Sequence, residues 1–143
     1  MISGIDIIKK HEGFRCKAYK CPAGVWTIGY GSTKYADGSA VKKDDEISEP
    51  TAEGLLIDYL IKNVRPHLEE LGDLKECQIA ALESLVYNIG WPAFAKSKCC
   101  KAIKEKDWET VFKNWDWCKA SGKFLVGLAK RRAEELNMFF KDM

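Results

Sequence analysis

The chain has 143 residues, of which 46% are hydrophobic and 31% are charged. This length suits one domain with a real core, so we expect a single domain over residues 1–143, and the composition excludes a disordered or fibrous protein. The net charge of only +2 gives no basic footprint for nucleic acid, so no nucleic-acid partner is expected.

The chain carries no evident membrane or secretion segment. No stretch approaches the ~20 consecutive apolar residues of a transmembrane helix. The first residues, MISGIDIIKK, lack the basic start and long apolar centre of a signal peptide. We therefore predict neither a membrane span nor a signal peptide.

Six cysteines are present, at positions 16, 21, 77, 99, 100 and 118. They fall short of the ~8 to 10% typical of short disulfide scaffolds. No C-x-x-C pair occurs, and the neighbours Cys99 and Cys100 cannot face the same way on a regular helix, so a zinc site would need ligands from distant segments. We expect most of the cysteines to be small buried hydrophobic residues and predict no metal site.

The first element in chain order is a helix over about residues 3–12. Ser3 can cap it, Asp6 lies at capping-box spacing, and Gly13 supplies a stop. The sequence from Phe14 then alternates, which places Cys16 on one side of a strand with apolar neighbours and predicts that it lies in the core.

Two turns organise the segment that follows. The CPAG sequence at 21–24 predicts a turn into a second strand, VWTIGY, and the Asp37–Gly38 pair predicts a further hairpin turn. Residues 14 to about 42 are therefore expected to form a small antiparallel β lobe.

The remainder, from about residue 48 to 143, is predicted to be helical. Ser48 caps a helix that Pro66 should interrupt, and Asp73 with Glu76 should open the next helix. The sequence LKECQIAALESLVYNIG at 74–90 is apolar on nearly all sides, which is typical of a helix in the middle of a bundle.

Two more helices complete the predicted helical lobe. Asp107 caps a helix whose large apolar residues should face the core, and a last helix from about Lys123 should turn its apolar residues inward. The inward residues expected in the two helices are Trp108, Val111, Phe112 and Trp115, and then Leu125, Leu128, Leu136 and Phe139. The fold class predicted is α+β, with a cleft between the β lobe and a larger helical lobe.

Glu12 is the first candidate for chemistry. It is the last residue of the predicted first helix, near the negative end of the helix dipole, where ionisation of a carboxyl is opposed and a general acid is favoured. A single glutamate is no motif, however, and an ordinary surface residue would look the same.

The spacing around Glu12 is more specific. Glu12, eight residues, Cys21, five residues and Thr27, with the glycine-rich PAGVW and IGYG segments, resembles the catalytic signature of the phage-type lysozymes, or tailed-phage endolysins. That family of glycoside hydrolases has Asp or Cys at the second position. The segments QIAALESLVYNIGWPAFAKS at 78–97 and GLAKRRAEE at 127–135 are similar to later segments of the family. Ser32 departs from it, because many members have His there.

The resemblance implies a lysozyme-like fold and hydrolysis of the β-1,4 bond between N-acetylmuramic acid and N-acetylglucosamine in bacterial peptidoglycan. It implies no metal or organic cofactor. We also expect a monomer. The absence of an evident signal segment and the resemblance together imply synthesis in the host cytoplasm and action at the cell wall once another protein has permeabilised the membrane. Two alternatives remain: a lytic transglycosylase acting on the same bond, and a wall-binding module without activity.

The resemblance gives a role to each signature residue. Glu12 would be the general acid that protonates the leaving oxygen. Cys21 would occupy the second-carboxylate position, where an unperturbed thiol with a pKa of about 8.5 is only a few per cent thiolate at pH 7. Attack by Cys21 on the sugar would retain the anomeric configuration, whereas water held by Cys21 and Thr27 would invert it. The family resemblance favours water.

Other residues remain candidates for the site. Trp26 and Tyr30 alternate along the second strand and could stack on sugar rings or pack in the core. Arg131 or Arg132 could pair with a carboxylate near the junction of the lobes, such as Glu12. A cysteine hydrolase using His11 is disfavoured, because neighbouring residues of a helix point roughly 100° apart.

Overall fold

The computed structural model describes residues 4–143. Its α-helices are α1 (Gly4–Glu12), α2 (Glu49–Tyr59), α3 (Arg65–Glu69), α4 (Glu76–Ile89), α5 (Trp91–Ala95), α6 (Lys98–Lys104), α7 (Trp108–Lys113) and α8 (Val126–Phe139). Its strands are β1 (Arg15–Lys20), β2 (Trp26–Gly29), β3 (Lys119–Ala120) and β4 (Lys123–Phe124). Helices and small antiparallel sheets together confirm the predicted α+β class.

Helix α1 ends where the sequence predicts. Its last residue is Glu12, and Gly13 follows with a φ of +72°, donating its N–H to the Lys9 carbonyl at 3.0 Å. Ile7 and Ile8 are the apolar residues that α1 buries. The predicted cap, Ser3, lies outside the described residues.

The β lobe begins with the antiparallel pair β1 and β2. Tyr19 pairs with Thr27, and the turn is closed by the Cys21 N–H, which donates to the Val25 carbonyl at 3.0 Å. After β2 the chain makes single bridges rather than a regular strand. One of them surrounds the predicted turn at Gly38, whose φ is +87°.

The prediction that Cys16 lies in the core was wrong, because Cys16 is exposed. Its carbonyl accepts the N–H of Ile47, so β1 is bonded along one edge by β2 and along the other by the segment at 45–47. These bonds satisfy the backbone but cover neither face of the strand, so alternation along β1 does not mark a buried side. The wider expectation that most cysteines are buried also failed: Cys99 and Cys100 are buried, but Cys21, Cys77 and Cys118 are partly exposed.

Pro66 does not interrupt the second helix as predicted. Ser48 caps α2 by accepting the Thr51 N–H at 3.4 Å, and the chain then passes from α2 through a π-helical segment, Leu60–Val64, directly into α3. The Arg65 N–H donates to the Leu60 carbonyl five residues back. A proline has no N–H and crowds the carbonyl four residues earlier, and the wider π turn accommodates both effects without ending the helix.

Helix α4 is the central element of the helical lobe, as its sequence predicts. Every residue from 80 to 86 is buried, and the helix packs on both α1 and α8. The predicted start at Asp73 was wrong: Lys75 is still extended and precedes the first helical residue, and the Gln78 side chain accepts its N–H at 2.8 Å. The capping partner is therefore Gln78, one turn into the helix.

The last helices differ in detail from the prediction. Asp107 caps α7 as expected, and Val111 and Trp115 are buried, but Phe112 is 59% exposed. Helix α8 begins at Val126 rather than Lys123, because the chain first turns through β3 and β4. Ser121 and Gly122, both at positive φ, form the tight turn that such a hairpin requires.

The inward face of α8 is partly polar. Phe139 is fully buried as predicted, but Leu125 precedes the helix and is 43% exposed. In place of a continuous apolar stripe, α8 buries three charged residues, namely Arg131, Arg132 and Glu135. Within the described range, 4–143, no helix is long and apolar enough to cross a membrane.

Gly29, the last residue of β2, packs closely on α2, and a substitution there tests the packing of β2 on α2. Its φ is +66°, and a Cβ added there would lie 2.9 Å from the Ala52 Cβ. We expect Gly29→Ala to lower the free energy of unfolding by about 2–4 kcal/mol, because it adds left-handed strain to overpacking. Denaturant unfolding measures this change.

Gly54 is the matched control for Gly29. It lies inside α2 with no atom near its added Cβ. Gly54→Ala should raise the free energy of unfolding by up to about 1 kcal/mol, as expected for a helix interior. Equal effects of the two substitutions would contradict the close packing of β2 on α2.

Candidate active site

A cleft of about 620 Å³ opens between the segment at 31–38 of the β lobe and the wall formed by α2, the π-helical segment and α4. A neighbouring cavity of about 390 Å³ reaches the start of α8. Glu12 and Asn88 line both cavities, so Glu12 lies where the two meet. Aromatic and charged side chains of the cleft include Lys34, Tyr35, Asp58, Tyr59, Lys62 and Tyr87.

The β lobe approaches Glu12 closely at Gly31. A Cβ added to Gly31 would lie 3.4 Å from Glu12 Oε1 and 3.3 Å from the Tyr87 hydroxyl. Gly31 has a φ of +97°, so both its conformation and the space favour glycine. The Tyr87 hydroxyl donates to the Tyr30 carbonyl at 2.8 Å, which ties α4 to the β lobe beside Glu12.

Arg131 holds the other oxygen of Glu12. Its NH1 atom donates to Glu12 Oε2 at 2.7 Å, and the arginine side chain is only 3% exposed. Ser84 on α4 fixes the same guanidinium twice, through its hydroxyl at 3.2 Å and its carbonyl at 3.1 Å. Its place in α8 and its bonds to α4 therefore position the guanidinium independently of Glu12.

A second carboxylate, this one buried, completes the cluster. Glu135 is fully buried, and Arg132 Nε lies 2.7 Å from its Oε1 atom. Ser84 and the Trp115 ring N–H also donate to Glu135. Of the two arginines considered from the sequence, Arg131 is the one that bonds to Glu12. Arg132 pairs with Glu135, whose Oε2 atom also lies 3.5 Å from Arg131 Nε. The three buried ions, Arg131, Arg132 and Glu135, together with the partly exposed Glu12, balance in charge.

Cys21 lies in the turn between β1 and β2 and is partly exposed. Hydrogen bonds from the backbone of Val25 and then of Ala23, with a smaller one from the Thr27 side chain, lower the pKa of the Cys21 thiol. The turn therefore makes the Cys21 thiol more acidic than an ordinary cysteine, which the sequence could not show.

Thr27 lies beside Cys21 but is buried, with 4% exposure. Its hydroxyl donates to the Val25 carbonyl at 3.0 Å. The structure thus brings Cys21, in the turn, beside Thr27, in β2, and brings Glu12 and Arg131 together at the cleft. Neither Cys21 nor Thr27 is among the residues that line the two cavities.

The aromatic residues proposed from the sequence do not line the cleft. Tyr30 is 4% exposed and donates its hydroxyl to Glu49 at 2.8 Å, so it is a core residue. Trp26 is partly buried beneath the Lys20 ammonium, 5.4 Å from the ring centre. The cleft instead presents Tyr59 and Tyr87. Tyr59 shares helical spacing with core residues in the sequence, so no local signal identified it.

His11, the neighbour of Glu12 in the sequence, contacts α8. His11 Nε2 lies 3.0 Å from Glu134 Oε2, so its identified partner is a carboxylate on α8 rather than a cysteine. Among residues 4–143, no group of three or more His, Cys, Asp or Glu side chains could hold a metal ion.

The environments of Cys21 and Cys99 predict different reactivities. Burial raises the pKa of the Cys99 thiol to about 12, whereas the turn lowers the pKa of Cys21. Because the thiolate is the nucleophile, we expect iodoacetamide at pH 7.5 to label Cys21 at least about tenfold faster than Cys99. Mass spectrometry of the digested protein measures both rates. In denaturant the two labelling rates should converge. Equal labelling rates for Cys21 and Cys99 in the folded protein would contradict the predicted difference in reactivity.

Comparisons with known proteins agree with this architecture. A family model described as phage lysozyme matches residues 9–135. The endolysin of Acyrthosiphon pisum secondary endosymbiont phage 1 is 35% identical, over 95% of this chain and 94% of that protein. The endolysin of Salmonella phage P22 is 32% identical, over 96% and 94% of the two chains.

Solved structures give the same result. A crystal structure of a P22 lysozyme mutant superposes with a TM-score of 0.81 at 30% identity, covering 98% of this chain and 99% of that one. The muramidase domain of SpmX from Asticaccaulis excentricus has a TM-score of 0.79 at 29% identity, covering 95% and 93% of the two chains. The protein therefore belongs to the phage lysozyme family.

Proposed function

We propose that this protein is a peptidoglycan muramidase that hydrolyses the β-1,4 bond between N-acetylmuramic acid and N-acetylglucosamine. The observation that carries the proposal is Glu12, held by Arg131 at the junction of two cavities in a chain of the phage lysozyme family. A glycan strand crossing that junction would present one sugar to each cavity, with the bond between them beside Glu12.

Glu12 is proposed as the general acid. Glycosidic cleavage needs a proton on the leaving oxygen, and a positioned acid contributes typically ~10² to 10⁴ in rate. Arg131 binds Oε2, so Oε1, which faces Gly31, is the oxygen available to the substrate. With its proton on Oε1, the Glu12 carboxyl would be oriented by Arg131 through Oε2 and could still transfer that proton to the leaving oxygen.

Cys21 is proposed to activate the attacking water, with Thr27 beside it. Support comes from the lowered pKa of the Cys21 thiol, which gives it more negative charge than an ordinary cysteine. The Thr27 hydroxyl lies beside both the Cys21 thiol and the Val25 carbonyl, and its oxygen can accept a hydrogen bond from a water whichever of the two it donates to. Water delivered to the face opposite the acid inverts the anomeric configuration.

The remaining features of the proposal follow from the family. We expect a monomer that needs no metal or organic cofactor and has no nucleic-acid partner. Synthesis in the host cytoplasm and action on the cell wall after the membrane has been permeabilised would suit an endolysin. The relatives named above as endolysins support this part of the proposal.

Replacement of Glu12 tests the proposed function. Glu12→Gln keeps an oxygen that can accept from Arg131 but removes the acidic proton, so muropeptide release from purified sacculi should fall at least about 10²-fold. Liquid chromatography with mass spectrometry measures the products, and thermal melting checks the fold.

Glu105→Gln is the matched control for Glu12→Gln. Glu105 is an exposed residue at the end of α6, away from both cavities. It should release muropeptides at the rate of the unaltered protein. Continued release by Glu12→Gln at that rate would refute the proposed role of Glu12.

A further inference from the structure

Tyr59 is the most exposed aromatic side chain in the cleft wall of the helical lobe. It is the last residue of α2, immediately before the π-helical segment, and is 48% exposed. Its neighbour Leu60 is almost fully buried and anchors the backbone in the core. The ring of Tyr59 thus lies on a firmly held helix but presents much of its surface to the cleft.

A chain of contacts fixes the direction of this ring. Tyr59 packs edge to face against Tyr87, with ring centres 5.5 Å apart and an angle of 87° between the rings. Tyr87 is in turn tied to the β lobe, because its hydroxyl donates to the Tyr30 carbonyl. Burial also raises the pKa of the Tyr87 hydroxyl, so it stays a hydrogen-bond donor across the physiological range. The ring is therefore oriented before any ligand arrives.

The surroundings of Tyr59 combine apolar and polar groups. Leu55 lies on the same wall of the cleft, one turn earlier in α2. Asp58 and Lys62, which form an ion pair at 3.2 Å, and Asn63 also line the cleft around the ring. A pyranose ring has an apolar face of C–H groups and a rim of hydroxyl and acetamido groups. An aromatic surface with polar neighbours matches both parts.

We propose that Tyr59 is a sugar-binding platform that stacks on the apolar face of one N-acetylhexosamine ring of the glycan. The proposal rests on the proposed function, because it takes the glycan strand as the occupant of the cleft. Tyr59 contributes to affinity rather than to the chemical step, which takes place at Glu12. Tyr87 acts as a positioning residue through its edge-to-face contact.

The test measures binding without turnover. In the Glu12→Gln protein, the dissociation constant for chitotetraose, a β-1,4-linked tetramer of N-acetylglucosamine, is measured by calorimetry before and after Tyr59→Leu. Loss of the aromatic face should raise the dissociation constant about tenfold. Tyr59→Phe keeps the ring and should stay within about twofold of the parent.

Phe112 provides a matched control for Tyr59. It is also an exposed aromatic residue in an edge-to-face pair, with Phe140 at 6.0 Å, and it lines neither cavity. Phe112→Leu should leave the dissociation constant unchanged. Failure of the parent to bind chitotetraose, or an equal dissociation constant in Tyr59→Leu, would overturn the proposal.

A kinetic measurement separates this proposal from the proposed function. With Glu12 intact, Tyr59→Leu should raise KM for sacculi about tenfold and change kcat by less than about twofold. A fall in kcat with KM unchanged would also overturn the binding role. If the unaltered protein releases no muropeptides, the proposed function fails, while the calorimetric comparison still decides the role of Tyr59.

Discussion

The arrangement of the site depends on the hydrogen bonds of the buried Arg131 guanidinium. A charge this deeply buried is stable only with partners, and removing one partner of such a pair typically costs about 3–5 kcal/mol. Ser84 on α4 and Glu12 on α1 supply the main bonds. The Arg131 side chain thereby joins α1, α4 and α8. Because Glu12 is one of its charge partners, the Glu12 carboxyl is held at the edge of the cleft.

The opposite wall is attached to this core at a few close contacts. Gly29 packs on Ala52, Gly31 approaches Glu12, and the Tyr87 hydroxyl bonds to the β lobe. Because Gly29 and Gly31 have no side chains, the two lobes can approach each other closely at these points. Beyond these contacts the segment at 31–38 and the helical wall stay apart, which leaves the cleft that a glycan could occupy. The orientation of Tyr59 depends on the same junction, since its partner Tyr87 bridges the two lobes.

The parts of the fold that depend on local sequence patterns could be predicted from the sequence. The end of α1 at Glu12, the cap at Ser48 and the central position of α4 follow from spacing, side-chain caps and periodicity. Errors arose where distant packing decides: Cys16 lies in an alternating sequence typical of a half-buried strand, but its side chain is exposed. Glu135 resembles a surface residue of α8, and its burial depends on the distant partners Ser84 and Trp115 in addition to Arg132 on its own helix.

The central claim is that Glu12 protonates a glycosidic bond that water then breaks from the opposite face. The most direct test is proton NMR of the first product released from a soluble peptidoglycan fragment, recorded before mutarotation. The account predicts a new reducing end that appears first as the α anomer, because water attacks a β bond with inversion. A product ending in 1,6-anhydro-N-acetylmuramic acid, formed without water, would contradict it.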